Sequence, residues 1–249
     1  IMWGAAGCLV IATSMAIALG RYEQSHSDGS GEKVIGGGIF EGAVAVFRSP
    51  YLLLICIMML LHNFSSTFLY NGLAVLVNQE LVGFDERTRF FSYVDLVVQI
   101  IAFPFQFFLT ARLLRWIGMP RSVIIPPLIL AAGFTLLGSS TGLVLFAGVQ
   151  VAQRALNYGL LGPIKEMLFT VVDRETKYKS KNFIDTVVYR GSDVVASWTF
   201  KGLMTAGLTV NGAALFYVPF MAIWGVSAWR LGKSYERLRD AARLAEKDG

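Results

Sequence analysis

A chain of 249 residues with 55% hydrophobic and 16% charged residues, and a mean hydropathy of +0.56, is too apolar for an ordinary water-soluble domain. In such a domain about a quarter of residues carry charge. The two cysteines, Cys8 and Cys56, lie in apolar stretches as small core residues, and no disulfide framework follows from them. The net charge of +5 sits in short loops and a tail, which argues for a lipid surface and against nucleic acid.

A hydrocarbon core takes about 20 apolar residues of helix to cross. Seven stretches reach that standard: Met2–Leu19, Tyr51–Asn78, Phe90–Leu114, Val123–Gly138, Gly142–Leu161, Phe183–Leu208 and Ala213–Trp229. The first has no basic flank and no small-residue cleavage site, so it reads as a span and not as a signal peptide. Its abrupt start at Ile1 sets the expectation of a piece of a longer chain. The polar, glycine-rich run Arg21–Gly38 reads as a flexible linker; it lacks the Gly-Lys-Ser/Thr ending of a phosphate-cradling loop. In Ile39–Arg48 the residues Ile39, Phe40, Ala43, Val44 and Phe47 share one helical face, as in a helix lying in the membrane interface. The expected organisation is therefore a transmembrane helix over 1–20 and a cytoplasmic linker with interfacial helix over 21–49. A six-helix bundle over 50–230 and a basic tail over 231–249 follow.

Loop charge gives the orientation. One set of connections, with the tail, holds sixteen basic residues, among them Arg112, Arg115 and Arg121, Arg174 to Lys181, and Arg230 to Lys247. The opposite set holds two, Arg87 and Arg89. The positive-inside rule places the sixteen, and the C-terminus, in the cytoplasm. Tyr51, Trp116, Tyr217 and Trp229 fall near predicted span ends, where aromatic anchors belong. An integral, multi-pass protein of a bacterial inner membrane is the expectation.

Polar residues recur inside the spans at helical spacing. On the third span Ser92, Asp95, Gln99 and Gln106 share a face; on the fifth, Gln150, Arg154 and Asn157 do, with Gln153 and Tyr158 beside them. On the sixth, Asp193, Ser197 and Lys201 form one stripe, and Asp185, Tyr189 and Ser192 lie on a neighbouring face near Arg190. On the second, His62, Ser66 and Tyr70 align, flanked by Asn63, Thr67 and Asn71. Lipid satisfies none of these groups, so four such helices call for a shared aqueous interior. The plainer alternative is that they only join helices through hydrogen bonds. Charges well inside a span favour a solute path. The expected substrate-binding residues are Arg154, Arg190, Asn157, Gln150, Gln99 and Tyr189; Asp95, Asp185 and Asp193 are expected to balance charge or carry a proton. Arg190 has Asp193 or Asp185 as a partner by spacing. Lys165 and Glu166 follow Gly162-Pro163, expected to kink or end the fifth helix, and suit a gate. With two histidines and no metal-spaced cluster, neither enzyme, cofactor nor metal is expected.

Two resemblances follow. One span, a long cytoplasmic loop and six further spans resemble the end of the first half and the whole second half of a major facilitator transporter, and Leu109–Val123 is similar to the basic, glycine-containing loop of that superfamily. Lys165-Glu166-Met167, the basic run Tyr178-Lys179-Ser180-Lys181, Ile184-Asp185 and Arg190 resemble the ATP:ADP antiporter family of nucleotide transporters. Lys165 stands where that family usually has arginine, and Gly191-Ser192-Asp193 departs from its Gly-Lys-Ser-Gly-Gly-type continuation. The resemblance implies a secondary transporter working by alternating access and exchanging nucleotides or another anionic metabolite, with the missing N-terminal half as its partner. The alternatives are a seven-helix receptor and a non-transporting membrane scaffold.

Overall fold

The computed structural model describes residues 13–15, 39–140 and 142–248. It separates into two units, Ile1–Gly36 and Gly37–Gly249. In the first, residues 13–15 are helical; the rest of the predicted first span and the linker lie outside the described residues. The second is helical, with no strand among its described residues. Its helices are α1 (Ile39–Arg48), α2 (Pro50–Glu80), α3 (Phe84–Pro104), α4 (Thr110–Ser139), α5 (Leu143–Leu156), α6 (Gly162–Leu168), α7 (Arg174–Phe183), α8 (Tyr189–Thr205) and α9 (Val210–Asp248). Single π turns join three pairs into composite rods: Phe105–Leu109 between α3 and α4, Asn157–Leu161 between α5 and α6, and Ile184–Val188 between α7 and α8.

Every predicted span after the first falls on one of these rods. Among the described residues three helical runs are long and apolar enough to cross a membrane: Pro50–Glu80, Phe84–Ser139 and Val210–Leu244. The second run holds two predicted spans because it is broken at Gly118, whose φ of 77° and ψ of 172° leave the helical region. A Cβ is strained at that φ, so glycine is required for the break.

Local chemistry sets the ends. Pro50 occupies the first turn of α2, where no N–H is needed, and the Ser49 hydroxyl accepts from the Leu52 N–H at 3.4 Å. The α8 helix closes in a Schellman motif: Leu208 N–H donates to Leu203 O and Gly207 N–H to Met204 O, with Gly207 at a φ of 87°. Asp173 caps α7, its carboxylate accepting from the Thr176 N–H at 2.9 Å.

The core is an aromatic knot. Tyr217 of α9 lies 4.4 Å from the Phe68 ring centroid on α2 and stacks on Phe134 of α4 at 5.6 Å; Phe200 of α8 meets Phe68 edge-on. Such pairs contribute about 0.5–1.5 kcal/mol each beyond the area they bury. Small residues let the rods approach: a Cβ on Gly138 meets Leu215 at 2.1 Å, and one on Gly232 meets Pro120 Cα at 2.3 Å.

Among the described residues, the basic segments around Arg48, Arg121, Lys179 and Arg237 gather at one end. Gly232 of α9 touches Pro120; Ser49 to Leu52, Val171, Val172, Thr176 and Arg237 line one hollow; and Glu41 of α1 pairs with Lys179 of α7 at 2.7 Å.

Two expectations are corrected here. Gly162-Pro163 does not end the fifth predicted helix: the rod runs on through α6 to Leu168. A π turn absorbs the donor that Pro163 lacks, and the carbonyl it would have bonded, Gly159 O, accepts the buried Thr110 hydroxyl instead. Tyr51 and Tyr217 are not interface anchors. Both are buried, and the Tyr51 hydroxyl donates to Leu168 O at 2.7 Å.

Candidate functional site

A polar cleft of about 680 Å³ opens along the bundle. Four rods build it. From α2 come Asn63, Ser66, Thr67, Tyr70 and Asn71; from α3, Phe91 and Asp95; from α5 and its π turn, Gln150, Gln153, Arg154, Asn157 and Tyr158; from α8, Tyr189, Asp193 and Ser197. The rise and turn of an α-helix explain the sets. Residues three and four apart lie on one face, so each stripe enters the cleft as a strip.

Its charges are arranged in two groups. The Arg154 guanidinium donates to the Asp95 carboxylate across the cleft, with Arg154 27% and Asp95 60% exposed. A pair this open on one side is neutral when the cleft is empty and remains within reach of a solute. On the opposite wall Asp193 is held by neutral donors. The Asn63 amide reaches Asp193 Oδ1 at 2.8 Å, Ser192 Oγ at 2.8 Å and Tyr189 O at 2.9 Å, and the Thr67 hydroxyl donates to the same carboxylate oxygen at 2.8 Å.

A second hollow of about 480 Å³ adjoins the first, lined by Met59, His62, Gln106, Lys165, Glu166 and others. The two share Asn157, Tyr158 and Tyr189. At its edge Lys165 donates to the Asp185 carboxylate, and Lys181 reaches both Glu166 oxygens at 2.8 Å. Lys181 is the first cause that holds the Glu166 carboxyl below its ordinary range, with partial burial opposing it and Lys165 and Lys177 assisting.

The structure therefore brings Arg154, Asn157, Gln150, Tyr189, Asp95 and Asp193 to one cleft, and Lys165 and Glu166 to its neighbour. Gln99 and Arg190 are exposed and line neither hollow. The expected partnership of Arg190 with Asp193 or Asp185 is not formed: Asp185 takes Lys165, and Asp193 takes Asn63 and Thr67. The π turn Ile184–Val188 inserts an extra residue between Asp185 and Arg190, so α-helical spacing across it misplaces the faces. Lys201 stays outside the cleft lining, its ammonium 5.6 Å from the Trp198 ring centroid. Asn63 and Thr67 are the cleft positions that sequence spacing undervalued. They flank the His62–Ser66–Tyr70 stripe at i+1, a signal that widens the polar face. Phe91 carries no such signal.

Helical throughout its described residues, with three runs able to cross a bilayer, the chain is an integral membrane protein. Its polar cleft lies among apolar rods, where ionised side chains are costly to hold. Among curated proteins it is similar to ADP,ATP carrier protein 1 of Chlamydia muridarum (strain MoPn / Nigg), 23% identical over 239 residues, covering 82% of this chain and 44% of the relative. It is also similar to ADP,ATP carrier protein 1 of Chlamydia pneumoniae, 21% identical over 212 residues, covering 76% of this chain and 41% of the relative. The chain thus spans less than half the length of these relatives. No family model and no solved structure matches it.

Proposed function

We propose that this chain supplies one wall of the solute pathway in a secondary transporter for an anionic metabolite, with nucleotides as the first candidates, and that a further helical bundle supplies the facing wall. The observation that carries the reading is the Arg154–Asp95 pair on the walls of a 680 Å³ polar cleft. A phosphate entering the cleft takes over Arg154 by charge-assisted hydrogen bonds, and Asp95 is released to balance charge or accept a proton. Asn157, Gln150 and Tyr189 offer neutral contacts to the remainder of the solute, and Asp193 tunes the opposite wall. Arg190 and Gln99 contribute where the facing wall brings solute to them. The Lys165–Asp185 and Glu166–Lys181 pairs close the end nearest the basic loops and part as the pathway opens to that side. The names of the two carriers support nucleotides over other anions. On this reading the protein works by alternating access, as major facilitator transporters do, sits in a bacterial inner membrane with its C-terminus cytoplasmic, and needs no cofactor.

The test is uptake of labelled ATP or ADP by liposomes holding the full-length protein, preloaded with unlabelled nucleotide. Arg154→Ala and Asp95→Asn each reduce exchange at least about a hundredfold, in line with loss of a charged partner in a water-poor site. Wild-type exchange by both variants removes their roles. Ligand binding with no exchange in any gradient favours a receptor, and neither binding nor exchange favours a scaffold.

A further inference from the structure

Two side chains in the cleft have no partner for one end. Gln150 and Gln153 are 5% and 2% exposed and both line the cleft. Gln150 Oε1 and Gln153 Nε2 are buried without a hydrogen bond. A buried polar group left without a partner is costly and calls for an explanation. The free ends are complementary: one accepts and the other donates. They come from positions i and i+3 of α5, hence from one helical face. Arg154 follows one turn after Gln150, about 6 Å along the axis. Aromatic rings of Phe91, Tyr158 and Tyr189 line the same space.

We infer that Gln150 and Gln153 form a base-reading subsite, selecting a planar heterocycle whose edge carries an amino donor beside a ring-nitrogen acceptor, while Arg154 holds the phosphate one turn away. The inference rests on the anion-carrier reading and adds to it the chemistry of the solute's other end. A glutamine amide pairs with such an edge, as in the reading of adenine, and flat bases settle on aromatic faces. The amino group of an aminopurine or aminopyrimidine donates to Gln150 Oε1, and the adjacent ring nitrogen accepts from Gln153 Nε2. A base lacking the amine leaves Gln150 unpaired, which is the stronger discrimination that polar sites achieve.

The test is equilibrium binding to purified full-length protein. The probes are adenosine and cytidine triphosphates, the matching nucleotides without the exocyclic amine, and ribose 5-phosphate. Wild-type protein prefers the amine-bearing member of at least one pair by about ten- to a hundredfold. Gln150→Met brings that ratio close to one, whereas Gln153→Met, which removes the donor to the ring nitrogen, weakens both members of a pair while binding ribose 5-phosphate as the wild type does, which also reports an intact fold. The wild-type ratio needs no variant: a value near one for both pairs overturns the inference and leaves the anion-carrier reading standing. A Gln150 variant that keeps the ratio, or a Gln153 variant that loses ribose 5-phosphate in equal measure, overturns it as well. No binding of any of these phosphates by wild-type protein removes the carrier reading and the subsite with it.

Discussion

Thr110→Val is a nearly isosteric change with a calculable consequence. Thr110 is 4% exposed, and its hydroxyl donates to Gly159 O, the carbonyl whose α-helical donor is missing because residue 163 is proline. Phe105 O, which already takes the Thr110 backbone N–H, lies 3.1 Å from the same hydroxyl as a second acceptor. Valine keeps the shape and removes the donor. Interhelical hydrogen bonds in membranes contribute about 0.6 kcal/mol on average and about 1.7 at most. Leaving a buried carbonyl without a partner costs about 1–3 kcal/mol. The carbonyl is buried at a tight crossing, where a Cβ on Gly159 would lie 2.6 Å from the Phe105 ring and water has no room. The overlap of the two ranges, about 1–2 kcal/mol, is the expected loss. For a unit of this size that lowers the melting temperature by roughly 2–8 °C. Thermal unfolding in mild detergent reads it, with Thr110→Ser as control. Serine keeps the hydroxyl and should retain most of the stability. An unchanged melt for the valine variant, or equal losses for valine and serine, refutes the claim that the hydroxyl replaces the proline's missing donor.

Asn63→Leu deprives Asp193 of its amide partner and leaves only Thr67 donating to the carboxylate, so unfolding should occur about 1–3 kcal/mol earlier, measured by the same melt. Gly232→Ala pushes a methyl against the Pro120 backbone, and a loss of about 1–3 kcal/mol is expected because neither atom belongs to a flexible side chain. Asp173 is held below its ordinary carboxylate value chiefly by the Thr176 hydrogen bonds that make it the α7 cap. Its contribution is therefore complete above the unfolded-state value and fades as pH falls through the lower folded value; hydrogen exchange of the Lys177 amide, bonded to Asp173 O at 2.8 Å, should quicken only in that acidic window, and Asp173→Asn should abolish the dependence.

The cleft was legible where helix geometry is regular. Gln150 and Arg154 share a face by spacing alone, and both line it, because α5 is an unbroken α-helix up to Leu156; Asn157, the first residue of the π turn, still falls in register with them. Ser66 and Tyr70 reach it for the same reason. Reading failed across π turns: Asp185 was grouped with Tyr189 and Ser192, yet the added residue sends it to Lys165. Pairing between helices was also out of reach. Spacing marks Asp95 and Arg154 as inward, but nothing local says that they meet, since a side chain's partner depends on how two rods are rotated. Tyr51 illustrates a third gap: a tyrosine near a span end anchors equally well to headgroups or to a neighbouring carbonyl, and here it found Leu168.

Asn157, Tyr158 and Tyr189 border both hollows, so these chambers have a party wall. A shift of any one of these three side chains alters both chambers at once by direct contact, and the coupling needs no distant relay.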